Sequence, residues 1–293
     1  MNNQQFEIFL SKHNVVFSDG ATGTNLIARG LPRGITSEHW VLENPDAILQ
    51  LHQDFIESGS DIILTSTFGG SRIRLKHAGL DDKFKSVNTR GVEIAKQAAS
   101  GTPVLIAGSI GPLGEMLQPL GLLTYAQAVQ EYSDQAKLLE DAGADLLVIE
   151  TQFDLSEAKA AIEGVRKVSR IALICSFSFD RGKRTMMGVS PNQFAEAVKD
   201  FDLSALGINC GKSIEDNQQC LHELRAITHL PIWFKPNAGL PEIDEDGMAS
   251  YSLKPAEMGE FAKDWPSMGA KIIGGCCGTS PSHLANIKTA IIN

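Results

Sequence analysis

The chain has 293 residues and a formal net charge of −9, with 43% hydrophobic and 21% charged residues. This length and composition suit a globular protein that buries a sizeable core, such as a single α/β barrel. The acidic excess argues against nucleic acid or an anionic membrane surface as a partner. No segment approaches the roughly 18–20 consecutive apolar residues that span a bilayer, so no membrane association is expected.

The cysteine content and the N-terminal sequence predict a cytoplasmic protein. The five cysteines are an odd number in a long chain, and the first residues lack a basic start followed by an apolar stretch. Such a chain is expected to carry free or metal-bound thiols in a reducing compartment.

Short apolar runs alternate with amphipathic stretches along the whole chain. The runs lie at 15–21, 61–68, 104–110, 145–151, 171–178, 205–210, 231–236 and 271–276. Each is rich in aliphatic residues, as in a strand buried on both faces. Helical patterns lie at 45–58, 82–99, 124–142, 156–168, 191–200, 215–228, 255–267 and 281–292. The alternation predicts a (β/α)8 TIM barrel forming one domain over 1–293, with an open doubly wound sheet as the alternative.

Polar side chains cluster at the ends of the predicted strands, where the active sites of such barrels lie. Six of the eight runs end in residues that react or form hydrogen bonds. These are Asp19–Gly20, Thr65 to Thr67, Glu150, Cys210, Asn237 and Cys276–Cys277. Unrelated core residues would not be expected to line up in this way, so a site is predicted at this end of the barrel.

Three of these side chains are thiols suited to one zinc ion. Cys276 and Cys277 lie in a glycine-rich turn at the end of the eighth run, and Cys210 lies at the end of the sixth run. Three thiolates leave one position of a tetrahedral zinc site open, as in catalytic sites. The Asn237 amide oxygen could fill that position in the absence of substrate. The alternatives are small buried hydrophobic residues for the thiols and a turn for the asparagine.

Two carboxylates at the same end could bind an amino-acid substrate. Asp19 and Glu150 are candidates for an ammonium group, while the amides of Gly20 and Ala21 and the hydroxyl of Thr67 are candidates for a carboxylate. The alternative is a structural role, with Asp19 in a turn and Glu150 paired with a lysine such as Lys235. The loop at 20–24 lacks the lysine of a phosphate-binding P-loop, which disfavours a nucleotide.

Five motifs together resemble the zinc-dependent homocysteine S-methyltransferases. They are DGATGT at 19–24, TSTFGG at 65–70, GINC at 207–210, PNAG at 236–239 and GGCCGT at 274–279. The resemblance implies a barrel, zinc on Cys210, Cys276 and Cys277, and homocysteine as the thiol substrate. It implies that Asp19 and Glu150 bind the substrate amino group, with Gly20, Ala21 and Thr67 near the carboxylate. It also implies that Asn237 contacts zinc when substrate is absent.

Further motifs are similar to the short bacterial betaine–homocysteine S-methyltransferases. They are SRIRLKH at 71–77, GSIGPLGE at 108–115 and RTMMG at 184–188. Glycine betaine carries a quaternary ammonium group, which binds best against aromatic rings. Trp40 and Phe68 could contribute such rings, but Thr151 stands where the longer animal enzymes have a tyrosine.

The sequence therefore leaves other methyl donors open. One alternative is a sulfonium donor, namely S-methylmethionine, dimethylsulfoniopropionate or S-adenosylmethionine. Another is a homocysteine-activating subunit that works with a separate corrinoid protein. We see no pterin or cobalamin module after the last predicted helix, so we expect that this chain alone does not use methylfolate. The oligomerisation arm of the animal enzymes is not recognised, and a homo-oligomer remains open.

Two other classes of protein could carry the same residues. A non-catalytic thiol-binding or zinc-binding module would carry the same three cysteines without turning over a substrate. A zinc hydrolase on this barrel is disfavoured because no strand-end histidine or water-activating base accompanies the thiols.

Overall fold

The computed structural model describes residues 1–243 and 249–292 and has the predicted barrel. Its strands are β1 (Val16–Phe17), β2 (Ile62–Leu64), β3 (Leu105–Ile110), β4 (Leu146–Gln152), β5 (Ala172–Phe177), β6 (Ala205–Cys210), β7 (Ile232–Pro236), β8 (Pro241–Ile243), β9 (Ala249–Tyr251) and β10 (Ala270–Ile273). Eight of them pair in parallel in the order β1-β10-β7-β6-β5-β4-β3-β2. A parallel bridge from Ser18 to Ile62 joins the two outer strands. The (β/α)8 prediction is therefore confirmed.

Helices follow the strands and surround the barrel. They are α1 (Asn3–Ser11), α2 (Gly23–Ala28), α3 (Ser37–Glu43), α4 (Pro45–Glu57), α5 (Arg72–His77), α6 (Phe84–Ala98), α7 (Tyr125–Ala142), α8 (Leu155–Val168), α9 (Pro191–Val198), α10 (Ile214–Arg225), α11 (Pro255–Ala262) and α12 (Pro281–Ile292). The eight predicted helices correspond to α4 and α6 to α12. Their ends follow local signals: Thr124 forms a capping box at the start of α7, and Gly143 ends that helix with φ 101°. None of the described helices is both long and apolar enough to cross a bilayer.

The inside of the barrel is filled and is closed at one end by α1. Alternate strand residues such as Ile62, Leu64 and Val148 form an interior cluster that also includes Phe6 and Leu10 of α1. A larger cluster packs the outer strand faces against the surrounding helices. Because α1 covers the N-terminal end of the strands, the carboxyl ends are left for a site.

The first strand is shorter than predicted, and the difference shapes the site. The apolar run predicted a strand over 15–21, but β1 ends at Phe17. Beyond it, the Asp19 amide still donates to the Ile62 carbonyl at 3.0 Å, and the Asp19 carbonyl accepts from the Gly275 amide at 3.1 Å. Residues 19–21 therefore lie alongside the turn that carries the two adjacent cysteines.

Candidate metal centre

The three strand-end thiols lie together at the open end of the barrel. The sulfurs of Cys210, Cys276 and Cys277 all lie within 4.8 Å of one another. The sulfurs of Cys210 and Cys276 are 2.9 Å apart. Cys175 and Cys220 lie instead in the outer hydrophobic core. The structure thus brings together the three cysteines predicted as ligands and separates the two that were not.

Hydrogen bonds within the cluster shift the pKa values of its thiols in different directions. The hydrogen bond with Cys276 is the main cause that raises the pKa of the Cys210 thiol well above its usual value. Hydrogen bonds from Cys210 and then Cys276 lower the pKa of Cys277 to about 3, and the Tyr251 hydroxyl contributes in the same direction. Cys277 is therefore the thiol of the three that ionises most readily, and a thiolate is the form that a soft metal ion binds.

Glycines allow the cysteine turn to pack tightly against its neighbours. Gly278 has φ 79°, and a Cβ there would lie 2.3 Å from the Tyr251 ring. A Cβ on Gly20 would lie 2.6 Å from the Thr279 hydroxyl oxygen. The Ala21 amide donates to both the carbonyl and the hydroxyl of Thr279, each at 3.1 Å. A substrate carboxylate that bound the Ala21 amide would therefore have to replace these bonds.

Asp19 is paired with a buried lysine. Lys235 Nζ donates to Asp19 Oδ1 at 2.6 Å, and both side chains are 3% exposed. The other carboxylate oxygen accepts from the Leu64 amide at 2.7 Å. Lys235 was predicted as a possible partner of Glu150, whereas its ion pair is with Asp19.

Glu150 is buried in the same region with a neutral partner. Its carboxylate accepts a 2.5 Å hydrogen bond from the Ser109 hydroxyl. Burial raises the pKa of Glu150 to about 7, and the charge of Lys235 only partly offsets this effect. The negative charge of Glu150 is thus less compensated than that of Asp19.

Thr67 faces the interior of the protein. Its hydroxyl donates to the Ser109 carbonyl at 2.8 Å and lies 2.6 Å from the Thr65 hydroxyl. As with Ala21, a substrate carboxylate could use this hydroxyl only after these bonds rearrange. Thr67 is therefore buried beside Ser109, the residue that donates a hydrogen bond to Glu150.

The Asn237 amide has one free end near the thiols. Its Nδ2 donates to the Gly211 carbonyl at 2.9 Å, and its backbone amide donates to the Cys210 carbonyl at 3.3 Å. Its Oδ1 is buried and has no hydrogen-bond partner among the described residues. A buried acceptor without a partner is costly, so this oxygen is suited to a ligand.

The two predicted aromatic residues do not share one cavity. Phe68 lines a cavity of about 460 Å³ together with Glu38, Arg74 and His77. The Arg74 guanidinium lies 5.8 Å from the centroid of the Phe68 ring. Trp40 is packed in the hydrophobic core and is not part of the described lining of this cavity.

Sequence reasoning missed two residues that contact the thiols. Asn209 is buried, and its Nδ2 lies 3.6 Å from the Cys210 sulfur and 3.8 Å from the Cys276 sulfur. Its signal was a polar side chain inside an apolar strand, since such a group needs buried partners. Tyr251 comes from β9, which pairs antiparallel with β8 and was not predicted. We find no local signal that would have placed it beside Cys277.

Comparison with known proteins places this arrangement in a family. Residues 16–291 match the family model described as homocysteine S-methyltransferase. The chain belongs to the homocysteine S-methyltransferase family. The match covers every strand that contributes a side chain to the thiol cluster.

Individual known proteins align with almost the whole chain. The metallated form of the homocysteine methyltransferase MmuM from Escherichia coli superposes with a TM-score of 0.82 at 27% identity, covering 96% of this chain and 98% of that one. The methionine synthase of Mycobacterium tuberculosis is 30% identical over 95% of this chain, and that of Mycobacterium leprae is 30% identical over 94%. The chain spans about a quarter of the length of these two synthases.

Proposed function

We propose that this protein is a zinc-dependent S-methyltransferase that moves a methyl group from a small onium donor to homocysteine, giving methionine. The observation that carries the proposal is the convergence of the Cys210, Cys276 and Cys277 sulfurs within 4.8 Å. The likeness to MmuM, a homocysteine methyltransferase with a metallated form, supports both the substrate and the metal.

The residues present fit a zinc ion. Three thiolates from two separate parts of the chain suit a soft divalent metal and leave one tetrahedral position for a substrate. The unpartnered Asn237 Oδ1 is the candidate for that position when substrate is absent. A bound zinc ion would keep the homocysteine sulfur as a thiolate near neutral pH.

Buried charges at the same end would orient the amino acid. Asp19 and Glu150 are the proposed partners of the substrate ammonium group. Because Lys235 already neutralises Asp19, Glu150 supplies most of the uncompensated negative charge. The Gly20 and Ala21 amides and the Thr67 hydroxyl are the proposed partners of the substrate carboxylate.

The methyl transfer itself requires little from the protein beyond position. The homocysteine sulfur forms a bond to the donor methyl carbon while the bond from that carbon to the onium atom breaks. The thiolate and onium charges cancel, and no proton is transferred in this step. Catalysis then depends on the alignment of sulfur, methyl carbon and leaving atom.

The donor is proposed to be glycine betaine, with sulfonium compounds as the second candidate. The cavity beside Phe68 offers an onium ligand one aromatic ring and the buried Glu38 carboxylate. The Arg74 guanidinium, 5.8 Å from the centroid of that ring, opposes a second cation there. Phe68 is the one Phe, Tyr or Trp in its described lining, which is fewer rings than a full aromatic cage, so sulfonium compounds are kept as the second candidate. Trp40, on α3, is packed in the hydrophobic core. Its proposed contact with the donor therefore requires a change in the packing of α3.

A donor screen tests the function directly. The purified zinc-loaded chain is incubated with homocysteine and, separately, with glycine betaine, S-methylmethionine, dimethylsulfoniopropionate and S-adenosylmethionine. Methionine formed with one of them, without a second protein, supports the proposal and identifies the donor. If methionine forms only after a methylated corrinoid protein is added, the chain is a homocysteine-activating subunit instead. The match to about a quarter of the length of the methionine synthases is compatible with that role.

A further inference from the structure

The side chain of Asn209, at the end of β6, connects the thiol cluster to the end of β4. Its Oδ1 accepts from the Thr151 amide at 2.9 Å and from the Ser176 hydroxyl at 2.6 Å. Its Nδ2 donates to the Thr151 hydroxyl at 2.7 Å. The same nitrogen lies 3.6 Å and 3.8 Å from the sulfurs of Cys210 and Cys276.

The orientation of this amide is set by its partners. A backbone N–H can only donate, so the end of Asn209 that meets the Thr151 amide must be the oxygen. The NH2 group then faces the Thr151 hydroxyl and the two sulfurs. One of its hydrogens is donated to the Thr151 hydroxyl, and the other is directed at the sulfurs of Cys210 and Cys276.

Both residues adjoining this side chain have unusual backbone conformations. Among the described residues, Thr151 (φ 62°) and Cys210 (φ 57°) are the non-glycine residues with positive φ. This conformation is strained for a residue with a Cβ, and a β-branched residue such as Thr151 adopts it rarely. Such strain persists only where neighbouring groups fix it. Asn209 fixes Thr151 through both its backbone amide and its hydroxyl.

Glu150 directly precedes Thr151. The Thr151 amide that Asn209 binds belongs to the peptide bond between these two residues, so it fixes the backbone from which the Glu150 side chain extends. We propose that Asn209 is a positioning residue that acts on both parts of the site at once. Its N–H group stabilises charge on the Cys210 and Cys276 sulfurs, and its two bonds to Thr151 set the position of Glu150. This inference rests on the proposed zinc-dependent function, because it concerns metal-bound thiolates and an amino-acid substrate.

The first test is the Asn209→Ala variant loaded with Co²⁺, which gives a sulfur-to-metal charge-transfer band. Without the N–H donor the sulfurs hold their electrons less tightly, so the band should move to lower energy. The affinity for zinc, measured by competition with a chelator, should fall about tenfold to a hundredfold. The KM for homocysteine should rise because Glu150 is no longer fixed.

The Asn88→Ala variant is the matched control. Asn88 is equally buried and donates to the carbonyls of Gly70 and Phe84, each at 2.8 Å, away from the thiols. Its removal should lower stability but leave the charge-transfer band as in the wild type. A similar band shift in Asn88→Ala would contradict a specific role for Asn209.

A double variant separates the two effects of Asn209. Glycine adopts positive φ without steric cost, so adding Thr151→Gly to Asn209→Ala removes the backbone strain that Asn209 opposed, and the KM should recover in part while the band stays shifted. If Asn209→Ala does not fold, Asn209→Ser takes its place, because its short side chain adds no charge and lacks the N–H group directed at the sulfurs. The same shift to lower energy is expected there.

The outcomes distinguish this inference from the function on which it rests. If the wild-type chain binds Co²⁺ and forms methionine but Asn209→Ala has an unchanged band or an unchanged KM, the positioning role is wrong and the function stands. If the wild-type chain shows no charge-transfer band and forms no methionine with any donor, the proposed function itself fails.

Discussion

Lys235 and Asp19 form an ion pair of 2.6 Å inside the barrel mouth, with both side chains 3% exposed. Lys235 also faces Glu150 and lowers its pKa against the effect of burial. One lysine thus neutralises one carboxylate fully and a second one in part. This arrangement leaves Glu150 as the group that responds to a substrate cation.

Removal of Lys235 should destabilise the fold strongly. The Lys235→Met variant leaves the Asp19 charge buried without a partner, which should cost about 3–5 kcal/mol in the free energy of unfolding. Lys137→Met is the control, since it removes a solvent-exposed pair with Asp141 whose contribution is below about 1 kcal/mol. Urea unfolding measures both variants, and equal losses of stability would contradict the assigned role of Lys235.

Amino-acid binding should weaken at acid pH because of Glu150. Its pKa is raised to about 7, chiefly by burial and further by the nearby Cys276 and Asp19, while Lys235 and Ser109 act in the opposite direction. The carboxyl is therefore mostly neutral at pH 6 and mostly charged at pH 8. Methionine, which has no thiol to ionise, should bind about tenfold more weakly at pH 6 than at pH 8.

The Glu150→Gln variant should abolish this pH dependence and bind methionine weakly at both values. Glu196→Gln is the control, since Glu196 lies on α9 in an exposed pair with Lys199. Isothermal titration of methionine into each variant measures the effect. An unchanged slope between pH 6 and pH 8 in Glu150→Gln would show that another group is responsible.

Two glycine variants separate steric conflict from backbone strain. Gly278 (φ 79°) and Gly182 (φ 64°) both have positive φ, so replacement by alanine costs about 1–2 kcal/mol at either position. At Gly278 the new Cβ would also lie 2.3 Å from the Tyr251 ring, whereas at Gly182 nothing lies within 4 Å. Gly278→Ala should therefore lose metal affinity and Gly182→Ala should retain it, as chelator competition would report. Equal affinity in the two would contradict the packing described for the cysteine turn.

The barrel was predictable because each strand is an apolar run that ends in a glycine or a polar residue. The convergence of Cys210 with Cys276 followed from that topology, since the ends of parallel strands meet at one rim. The α1 helix was missed because its two buried residues, Phe6 and Leu10, are too few to form a clear pattern.

The pairing inside the site was not predictable from the sequence. Whether Lys235 pairs with Asp19 or with Glu150 depends on which way each side chain points at the rim, and strand positions alone do not determine this. The roles of Asn209 and Tyr251 were hidden for the same reason. The contact of Tyr251 with Gly278 also required the antiparallel pairing of β8 and β9, which was not predicted.

The metal content of the purified chain, measured with methionine formation on the same samples, tests the central claim most directly. We expect one zinc per wild-type chain, neither zinc nor methionine formation in Cys276→Ser, and both retained in Cys220→Ala, which removes a thiol of the hydrophobic core. Full turnover by metal-free Cys276→Ser protein would contradict the account.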